Sequence, residues 1–448
     1  MVSKSLVERV TQIPVREARY VPTICDGNIP LQGPDHRLFV DLTNARGGDR
    51  IAEVERRIRW APVGTYEKHL VTGHAGSGKS TELNRLAHEL QEDKDGRSFH
   101  VVMFDINQHL DPSDIQLPEL VAALFSALWS DPVLNVPSLA AAKHLGKQFI
   151  AWAKSLGIEL GSDLAKEIPA LGTLLRNAEL QRRFREKAWD YTARVIEQMG
   201  DLIQEIRNTL VAREGIDDIV IIIDNLEKML CREVGGRTNY ELLFIEQLPK
   251  LETLPVHMVM TFPVSLHADQ TQLRAAYANA VAIQIPMVRV RQRLGHEDDP
   301  VGLQALREFL GRRLDLDCVF AGQNAIDQAI RGSGGCVRDL LRIVASAVVE
   351  KGSIPINSED IARALSRLAA DLERVLQGRP VLPSLHVVER TGSLPAEINA
   401  TDRKWLLQNL IVIEYNGEVW YDVHPLARRT RAYVESAPKE SPPAPATA

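Results

Sequence analysis

Short apolar runs alternate with stretches of helical periodicity between about Tyr66 and residue 298. Parallel strands that are buried on both faces read as almost continuous apolar runs, and helices connect one strand to the next. This alternation predicts an α/β domain, residues 61–298, in which helices cover both faces of a parallel sheet. The predicted strands are Lys68–Thr72, Phe99–Asp105, Ile219–Asp224, His257–Thr261 and Val281–Pro286.

A long, mostly helical insertion separates the second predicted strand from the third, at about residues 112–216. Its clearest helix has apolar residues at steps of three or four, with a mean step near the value of about 3.6 for a straight α-helix. These residues are Ala188, Tyr191, Val195, Met199, Leu202, Ile206 and Leu210. We therefore expect an ordinary packed helix rather than a left-handed coiled coil.

Strand signals stop after residue 298, and the pattern of residues 299–379 predicts a separate helical lid domain. One of its helices should begin with Asn357 or Ser358 as N-cap, because Glu359 and Asp360 then occupy the first turn. Acidic residues in that position are favoured by the positive end of the helix dipole.

The carboxyl-terminal part changes pattern again and predicts a winged helix at residues 380–435. Short helical stretches come first, and two alternating apolar runs then flank Asn416 and Gly417, a pair that is typical of a tight hairpin turn. The tail, residues 436–448, is rich in Pro and Ala and should be disordered. Residues 1–60 hold little periodic pattern, and we interpret them as an N-terminal strap.

Composition and charge limit the class of protein. Of the 448 residues, 45% are hydrophobic and 25% are charged, which excludes a chain that is disordered or fibrous as a whole. The 53 Lys and Arg residues against 59 Asp and Glu residues leave a net charge of −6. Bulk attraction to nucleic acid or to an anionic membrane is therefore not expected, although a local basic patch is compatible with this balance.

The compartment follows from what the sequence omits. The first residues lack the apolar stretch of a secretory signal, and no window reaches the ~18 uncharged apolar residues of a membrane span. The cysteines are scattered without a CxxC pair, at Cys25, Cys231, Cys318 and Cys336. Such spacing indicates neither a disulfide framework nor a zinc ribbon, and it fits a reducing compartment. We expect a cytoplasmic protein without a membrane partner.

The strongest chemical signal is GHAGSGKS, residues 73–80, which matches GxxxxGK[ST] between a predicted strand and a predicted helix. Glycines let backbone N–H groups converge on phosphate oxygens, while Lys79 reaches the terminal phosphates and the Ser80 hydroxyl serves Mg2+. The alternative, a glycine-rich turn with a chance lysine, does not account for this context. The predicted nucleotide-binding residues are Gly73, His74, Ala75, Gly76, Ser77, Gly78, Lys79, Ser80 and Thr81.

A phosphate loop needs a second acidic partner for its metal, and IVIIIDNLEK supplies one. Five buried-type residues deliver Asp224 to the carboxyl end of a strand, where ligands bind in open α/β sheets. Asp224 is therefore the predicted Mg2+ ligand together with Ser80. Glu227 is the candidate base for hydrolysis, and a helix-start glutamate favoured only by the dipole is an equally weighted alternative.

Three further residues are candidates for the same catalytic site. Thr261 ends a strand and would reach the terminal phosphate if that strand neighbours the Asp224 strand; otherwise it is a strand-end residue without a role. Arg338, in GSGGCVRDLL, opens a lid helix and is suited to clamp phosphate, or it is a surface arginine paired with Asp339. Arg274 is either an arginine finger for a neighbouring subunit or a solvated helix residue.

Taken together, these motifs resemble the AAA+/STAND group of P-loop ATPases over about residues 35–435. The resemblance implies that the Thr261 strand lies between the Gly73 and Asp224 strands, and that ATP binding drives assembly. Asn225 stands where many AAA+ ATPases carry the water-activating glutamate. DNLEK is similar to the DGLDE or DDLDR forms of the NACHT and KAP subgroups, which implies slow hydrolysis.

The sequence VHPLARR, residues 423–429, resembles the MHD-type motif in the winged helix of STAND switches. In that group the motif's histidine holds the ADP-bound, closed form, and His424 would take that role here. Pro425 replaces the usual aspartate. The alternative is a hairpin-end histidine that packs on its own domain. GGCVRDLL, by contrast, is similar to the AAA+ sensor arginine, and prokaryotic relatives that mix both patterns occur in mobile-element and antiviral defence contexts.

The favoured hypothesis is an ATP- and ADP-binding, Mg2+-dependent switch that forms homo-oligomers and controls a separate effector protein. The alternative is a DNA-binding loader or transposition regulator similar to origin-recognition ATPases. Residues 381–448 hold seven basic and eight acidic residues, so their net charge of −1 ranks DNA second. The cluster Arg428, Arg429 and Arg431 keeps that alternative open, since Arg403 and Lys404 alone make a weak basic face. A small-molecule kinase would leave the lid arginine and the winged helix unexplained.

Overall fold

The computed structural model describes residues 5–235, 237–267, 270–293, 297–415 and 419–437. The chain forms two compact units. The sheet unit consists of Arg50–Thr72 and Glu82–Gln284, and the loop unit consists of Met1–Asp49, Gly73–Thr81 and Ile285–Ala448. The segment Gly73–Thr81 thus belongs to a different unit from the strand that precedes it in the chain.

Helices account for most of the regular structure. The α-helices are α1 (Val21–Ile24), α2 (Thr43–Arg46), α3 (Arg50–Trp60), α4 (Lys79–Gln91), α5 (Ile106–His109), α6 (Leu117–Ser130), α7 (Ala140–Ser155), α8 (Leu164–Leu174), α9 (Ala178–Ala188), α10 (Thr192–Glu214), α11 (Asn239–Glu241), α12 (Val264–His267), α13 (Gln270–Ala276), α14 (Pro300–Gly311), α15 (Leu316–Val319), α16 (Gln323–Ser333), α17 (Val337–Lys351), α18 (Ser358–Leu376), α19 (Leu382–Thr391), α20 (Ala400–Gln408), α21 (Pro425–Arg428) and α22 (Arg431–Glu435). Short 3-10 helices lie at Val7–Arg9, Ala18–Tyr20, Gly33–Leu38, Val136–Ser138, Trp189–Tyr191, Leu226–Lys228 and Leu248–Thr253, and Leu242–Gln247 is a π-helix.

The strands are fewer and short. They are β1 (Lys68–Thr72), β2 (Phe99–Asp105), β3 (Asp218–Asp224), β4 (Glu233–Val234), β5 (Arg237–Thr238), β6 (His257–Thr261), β7 (Val281–Gln284), β8 (Val412–Tyr415) and β9 (Trp420–Val423). All five apolar runs predicted from the sequence form strands, with the last one ending at Gln284 instead of Pro286. The helical segments that connect these strands give the predicted α/β fold.

The sheet unit is built on a five-stranded parallel sheet in the order β2-β3-β6-β1-β7. This order confirms that β6 lies between β1 and β3, as the resemblance implies. Every residue of β1, β3 and β6 is buried. Because successive side chains of a strand point to opposite faces, complete burial means that both faces of the sheet are covered.

The helical insertion contributes α6–α10 to the core of the sheet unit. The long predicted helix starts later than its apolar pattern suggests, since α10 begins at Thr192 and Ala188 ends α9. Tyr191 belongs to the 3-10 turn between the two helices and is exposed. The turn keeps nearly the same angular step as a helix, so periodicity alone does not reveal it. The remaining predicted positions from Val195 to Leu210 are buried.

The loop unit joins the strap to the lid helices in one apolar core. Strap residues such as Val21 and Leu38 are fully buried in the same cluster as Leu306 and Val344. Helix α18 begins as predicted, because the Asn357 side chain accepts hydrogen bonds from the first-turn backbone, and the Asp360 carboxylate accepts one from the Asn357 N–H at 2.9 Å. This reciprocal arrangement is a capping box.

The carboxyl-terminal part contains α19, α20, the antiparallel pair β8–β9, α21 and α22. Helices followed by such a pair agree with the predicted winged helix. The predicted turn residues Asn416 and Gly417 lie outside the described residues, as do residues 438–448 of the tail predicted to be disordered. Within the described part of the chain, every helix is too short or too polar to traverse a lipid bilayer.

Candidate nucleotide-binding site

The phosphate loop, residues 73–80, connects the end of β1 to the start of α4. Two of its glycines adopt left-handed backbone angles, with φ of 85° at Gly76 and 94° at Gly78. Glycine adopts such angles without a steric penalty, and they allow successive N–H groups to face one point. The Ser77 N–H donates to the His74 carbonyl at 3.1 Å and closes the first turn of the loop.

The ammonium group of Lys79 makes hydrogen bonds to the backbone of this turn. The Nζ atom donates to the carbonyl of Gly73 at 2.8 Å and to the carbonyl of His74 at 3.2 Å. The lysine is buried, so its charge is placed within the protein at the base of the loop. Ser80 follows as the second residue of α4 and is half-buried.

The residues present fit a polyphosphate. An ammonium group, converging amides and the start of a 13-residue helix supply positive charge and donors at one place. The Ser77 hydroxyl is buried without a hydrogen-bond partner in the described part of the chain. Because a buried hydroxyl usually has a partner, this group is consistent with a ligand that donates or accepts there.

The strap also holds the loop, which the sequence did not predict. The Arg46 guanidinium is buried and donates to the Ser77 carbonyl. The Leu31 N–H donates to the Thr81 hydroxyl at 3.2 Å. Neither spacing nor periodicity links residues that lie 31 and 50 positions apart, so no pattern in the sequence marks Arg46 as a loop contact.

The lid packs against the other side of the loop through the start of α17. The Arg338 N–H donates to the Gly76 carbonyl at 3.4 Å, and the Cys336 sulfur lies 3.7 Å from the carbonyls of Ala75 and Gly76. A Cβ atom on Gly76 would come within 2.8 Å of the Arg338 Cβ. Within the loop unit the backbone and Cβ of Arg338 therefore lie beside the phosphate loop, and its role as a phosphate clamp stays a prediction.

His74 reaches from the loop into the winged helix. Its ring is completely buried, with Nδ1 3.1 Å from the Leu407 carbonyl of α20, and Nε2 accepts from the Glu414 N–H of β8 at 2.9 Å. Because Nε2 accepts, Nδ1 carries the proton and donates to Leu407. Burial disfavours the charged ring and lowers the pKa of His74 to about 4, so the imidazole is neutral near pH 7.

His424 contacts helix α21 and the lid helix α17 within the loop unit. Its Nδ1 accepts from the Leu426 N–H at 3.1 Å and caps α21, and its Nε2 lies 3.3 Å from Asp339 Oδ2 on the lid helix α17. Burial alone would raise the pKa of Asp339, but the His424 ring, with Arg338 and Arg342, lowers it to about 2. Both ring nitrogens of His424 thus have polar neighbours within the loop unit.

In the sheet unit, two acidic residues end neighbouring strands. Asp105 of β2 and Asp224 of β3 are register partners. Asn225 has a left-handed φ of 68° and donates from Nδ2 to Asp105 Oδ1 at 2.7 Å. Asn225 therefore holds a carboxylate of the adjacent strand. Sequence reasoning missed Asp105, although a strand that ends in aspartate repeats the signal that identified Asp224.

The other predicted residues of the sheet unit have separate surroundings. The Thr261 hydroxyl is buried and accepts from the Leu226 N–H at 3.1 Å, which ties the end of β6 to the segment after β3. Its own hydrogen is left for an acceptor. Glu227 is half-buried in the 3-10 helix Leu226–Lys228, and Arg274 is exposed on α13. An exposed position fits both alternatives for Arg274, the arginine finger and the solvated helix residue.

Comparison with known proteins gives only distant similarity. No family model matches the chain, and no curated protein matches it. It is similar to the solved Walker-type ATPase PABY2304 of Pyrococcus abyssi, with 16% identity, a TM-score of 0.45, and coverage of 90% of this chain and 98% of that one. It is also similar to the Aeropyrum pernix ORC2 protein in ADPNP–ADP complexes, with 11% identity, a TM-score of 0.41, and coverage of 92% and 96%.

Proposed function

We propose that this protein is a Mg2+-dependent ATP-binding switch that hydrolyses ATP slowly and assembles into homo-oligomers. The observation that carries the proposal is the phosphate loop, in which Lys79 is fixed at the base of a turn with left-handed glycines. Three other parts of the loop unit hold this turn, namely the strap, the lid and the winged helix. A turn supported in this way is preorganised for one ligand geometry.

In this proposal the phosphates are bound by the loop amides and Lys79, and Arg338 approaches from the lid. Ser80 and Asp224 are the proposed Mg2+ ligands, since a hydroxyl and a carboxylate oxygen suit this hard cation. When bound, the metal would neutralise the charge that develops on the transferred phosphate. Thr261 is proposed to donate its free hydrogen to the terminal phosphate or to the attacking water. His424 is proposed to bind ADP only if it leaves Asp339.

The carboxylates at the end of β2 and after β3 support the proposal of slow hydrolysis. Asn225 cannot accept a proton from water at neutral pH, and Asp105 already accepts from Asn225, the Asn107 N–H and Gln108. Glu227 is therefore the proposed base, and its place in a 3-10 helix after Asp224 is the reason for expecting a low rate.

Two isosteric substitutions test this assignment. Glu227→Gln is expected to lower ATP turnover on the order of 100-fold while the affinity for ATP stays the same, since an amide cannot take the proton of water. Asp105→Asn should change turnover only a few-fold, because it keeps the shape of a side chain that supports Asn225. Steady-state phosphate release and titration with a fluorescent ATP analogue measure both quantities. If Asp105→Asn removes turnover and Glu227→Gln does not, the base is Asp105.

Assembly is the proposed output of the switch, with a separate effector as partner and antiviral defence as the proposed setting. Size-exclusion chromatography should show a larger particle with a non-hydrolysable ATP analogue than with ADP. Arg274→Ala should leave this particle intact but reduce turnover per subunit about 1000-fold, because an arginine finger acts on the nucleotide of a neighbour. Arg194→Ala, another exposed arginine of the sheet unit, is the matched control. Identical elution with both nucleotides would rule out the assembling switch.

The alternative, a DNA-binding loader, gains little from the winged helix. Arg428 contacts Asp422 and lies 3.0 Å from Glu389, while Arg431 pairs with Glu435 at 3.0 Å. Two of the three arginines proposed for phosphate contacts thus already have acidic partners. Binding of duplex DNA at low salt that weakens as salt rises would favour the loader over the effector switch.

A further inference from the structure

His74 occupies the first variable position of the phosphate loop, and its side chain makes hydrogen bonds that phosphate binding does not require. Binding of phosphate uses backbone N–H groups and Lys79, so a small or polar side chain would suffice at this position. The His74 side chain is instead completely buried and contacts residues 333 and 340 positions further along the chain. Both partners are backbone groups of the winged helix.

In the two hydrogen bonds of the His74 ring, one nitrogen is the donor and the other is the acceptor. Nδ1–H donates to the Leu407 carbonyl near the carboxyl end of α20, and Nε2 accepts from the Glu414 N–H in β8. Strand β8 pairs with β9 in a two-stranded sheet, and its Glu414 amide donates to the phosphate loop. One residue of the loop therefore makes hydrogen bonds to two backbone groups of the winged helix, the Leu407 carbonyl and the Glu414 N–H.

The backbone of the same residue is part of the loop's own hydrogen bonding. The His74 carbonyl accepts from Lys79 Nζ at 3.2 Å and from the Ser77 N–H at 3.1 Å. Lys79 is also the group that must turn toward the terminal phosphate of a bound nucleotide. Movement of the ammonium group away from this carbonyl would remove one of the restraints on residue 74 and hence on its ring.

We infer that His74 is a positioning residue that couples occupation of the phosphate loop to docking of the winged helix. This inference rests on the proposed function and specifies its regulation. When Lys79 contacts a triphosphate, the His74 carbonyl loses a donor, and the ring bonds to Leu407 and Glu414 weaken. Nucleotide state is then transmitted to the winged helix through the loop itself, without a ligand contact from His424.

The Glu414 amide hydrogen reports this coupling directly, because it is the hydrogen donated to His74 Nε2. In the full-length protein, a non-hydrolysable ATP analogue should raise hydrogen exchange in a peptide that contains Glu414 about fivefold, the effect of losing about one hydrogen bond. In His74→Ala the exchange should be equally fast with and without the analogue. Mass spectrometry measures the exchange, and a fluorescent analogue measures binding in the same samples.

Two conservative variants separate coupling from general destabilisation. His74→Gln keeps an acceptor near the Nε2 position and should restore slow exchange of the Glu414 amide, whereas His74→Asn keeps only a donor near Nδ1 and should not. His386→Ala serves as the control, since this winged-helix histidine stacks on Tyr433 and contacts its carbonyl at 3.1 Å. It should leave the response to the analogue intact.

The outcomes are distinct. If the wild-type protein binds the analogue but exchange at Glu414 does not change, the coupling is wrong while the proposed nucleotide site stands. If His74→Ala still shows a change of exchange on binding, the response does not pass through His74, and the inference is also overturned. If the wild-type protein binds no nucleotide at all, both the inference and the proposed function fail.

Discussion

Lys79→Ala should abolish measurable ATP and ADP binding, with an affinity at least ~100-fold weaker, or about 2.7 kcal/mol. The buried ammonium group carries the positive charge that faces phosphate, and it also holds the carbonyls of Gly73 and His74. Alanine removes both contributions, and hydrogen bonds that involve a charged group are worth more than neutral ones. Isothermal titration calorimetry with each nucleotide measures the loss.

The control for this variant is Lys187→Ala, at an exposed position of α9 in the sheet unit. It removes the same charge from the protein but should leave the affinity for ATP unchanged. Thermal unfolding of both variants shows whether the loop unit remains folded. Retained binding by folded Lys79→Ala protein would contradict the assignment of this loop as the phosphate site.

Asp224→Asn should lower ATP turnover on the order of 100-fold or more, because the metal loses a charged ligand where negative charge develops. Asp224 ends β3 in the interior of the parallel sheet and is 5% exposed, so solvent does not replace the lost charge. Binding of ADP without Mg2+ should change much less, since the loop amides and Lys79 contact phosphate directly. Turnover measured across a Mg2+ titration checks the difference.

Asp201→Asn, on an exposed turn of α10, is the matched control for the change of charge. Its turnover and Mg2+ dependence should equal those of the wild-type protein. An Asp224→Asn protein with an unaltered Mg2+ dependence would show that the metal partner is another residue.

The apolar pattern predicted the sheet well because burial on both faces leaves little choice of residue. In β3, five consecutive aliphatic residues are suited to a strand that is buried on both faces of the sheet. The strand begins one residue before the predicted start and ends at the predicted residue. The strand order could be stated only from the resemblance, since a run of apolar residues carries no information about its neighbours. The helix break before α10 was missed because its turn preserves the spacing of buried residues.

The residues of the candidate site also fall into those that the sequence could predict and those that it could not. Residues whose proposed role depends on a local motif, such as Lys79 and Asp224, could be predicted from the sequence because the chemistry requires a fixed spacing. Arg46 and the winged-helix contacts of His74 could not, since they join segments that are distant in the chain through single hydrogen bonds. For His424 a motif resemblance suggested a contact with ADP, which stays a prediction, and nothing in the sequence indicated that the ring caps a helix and faces Asp339.

The division of the chain has a practical consequence for anyone who wishes to dissect it. The polypeptide passes from one unit to the other after residues 49, 72, 81 and 284, so no single cleavage point separates them. A fragment from Arg50 to Gln284 would keep the whole parallel sheet yet leave nine residues, Gly73–Thr81, stripped of their surroundings. In a chimera that takes only its C-terminal half from a relative, the nine residues of this chain would pack against lid and winged-helix residues of another sequence.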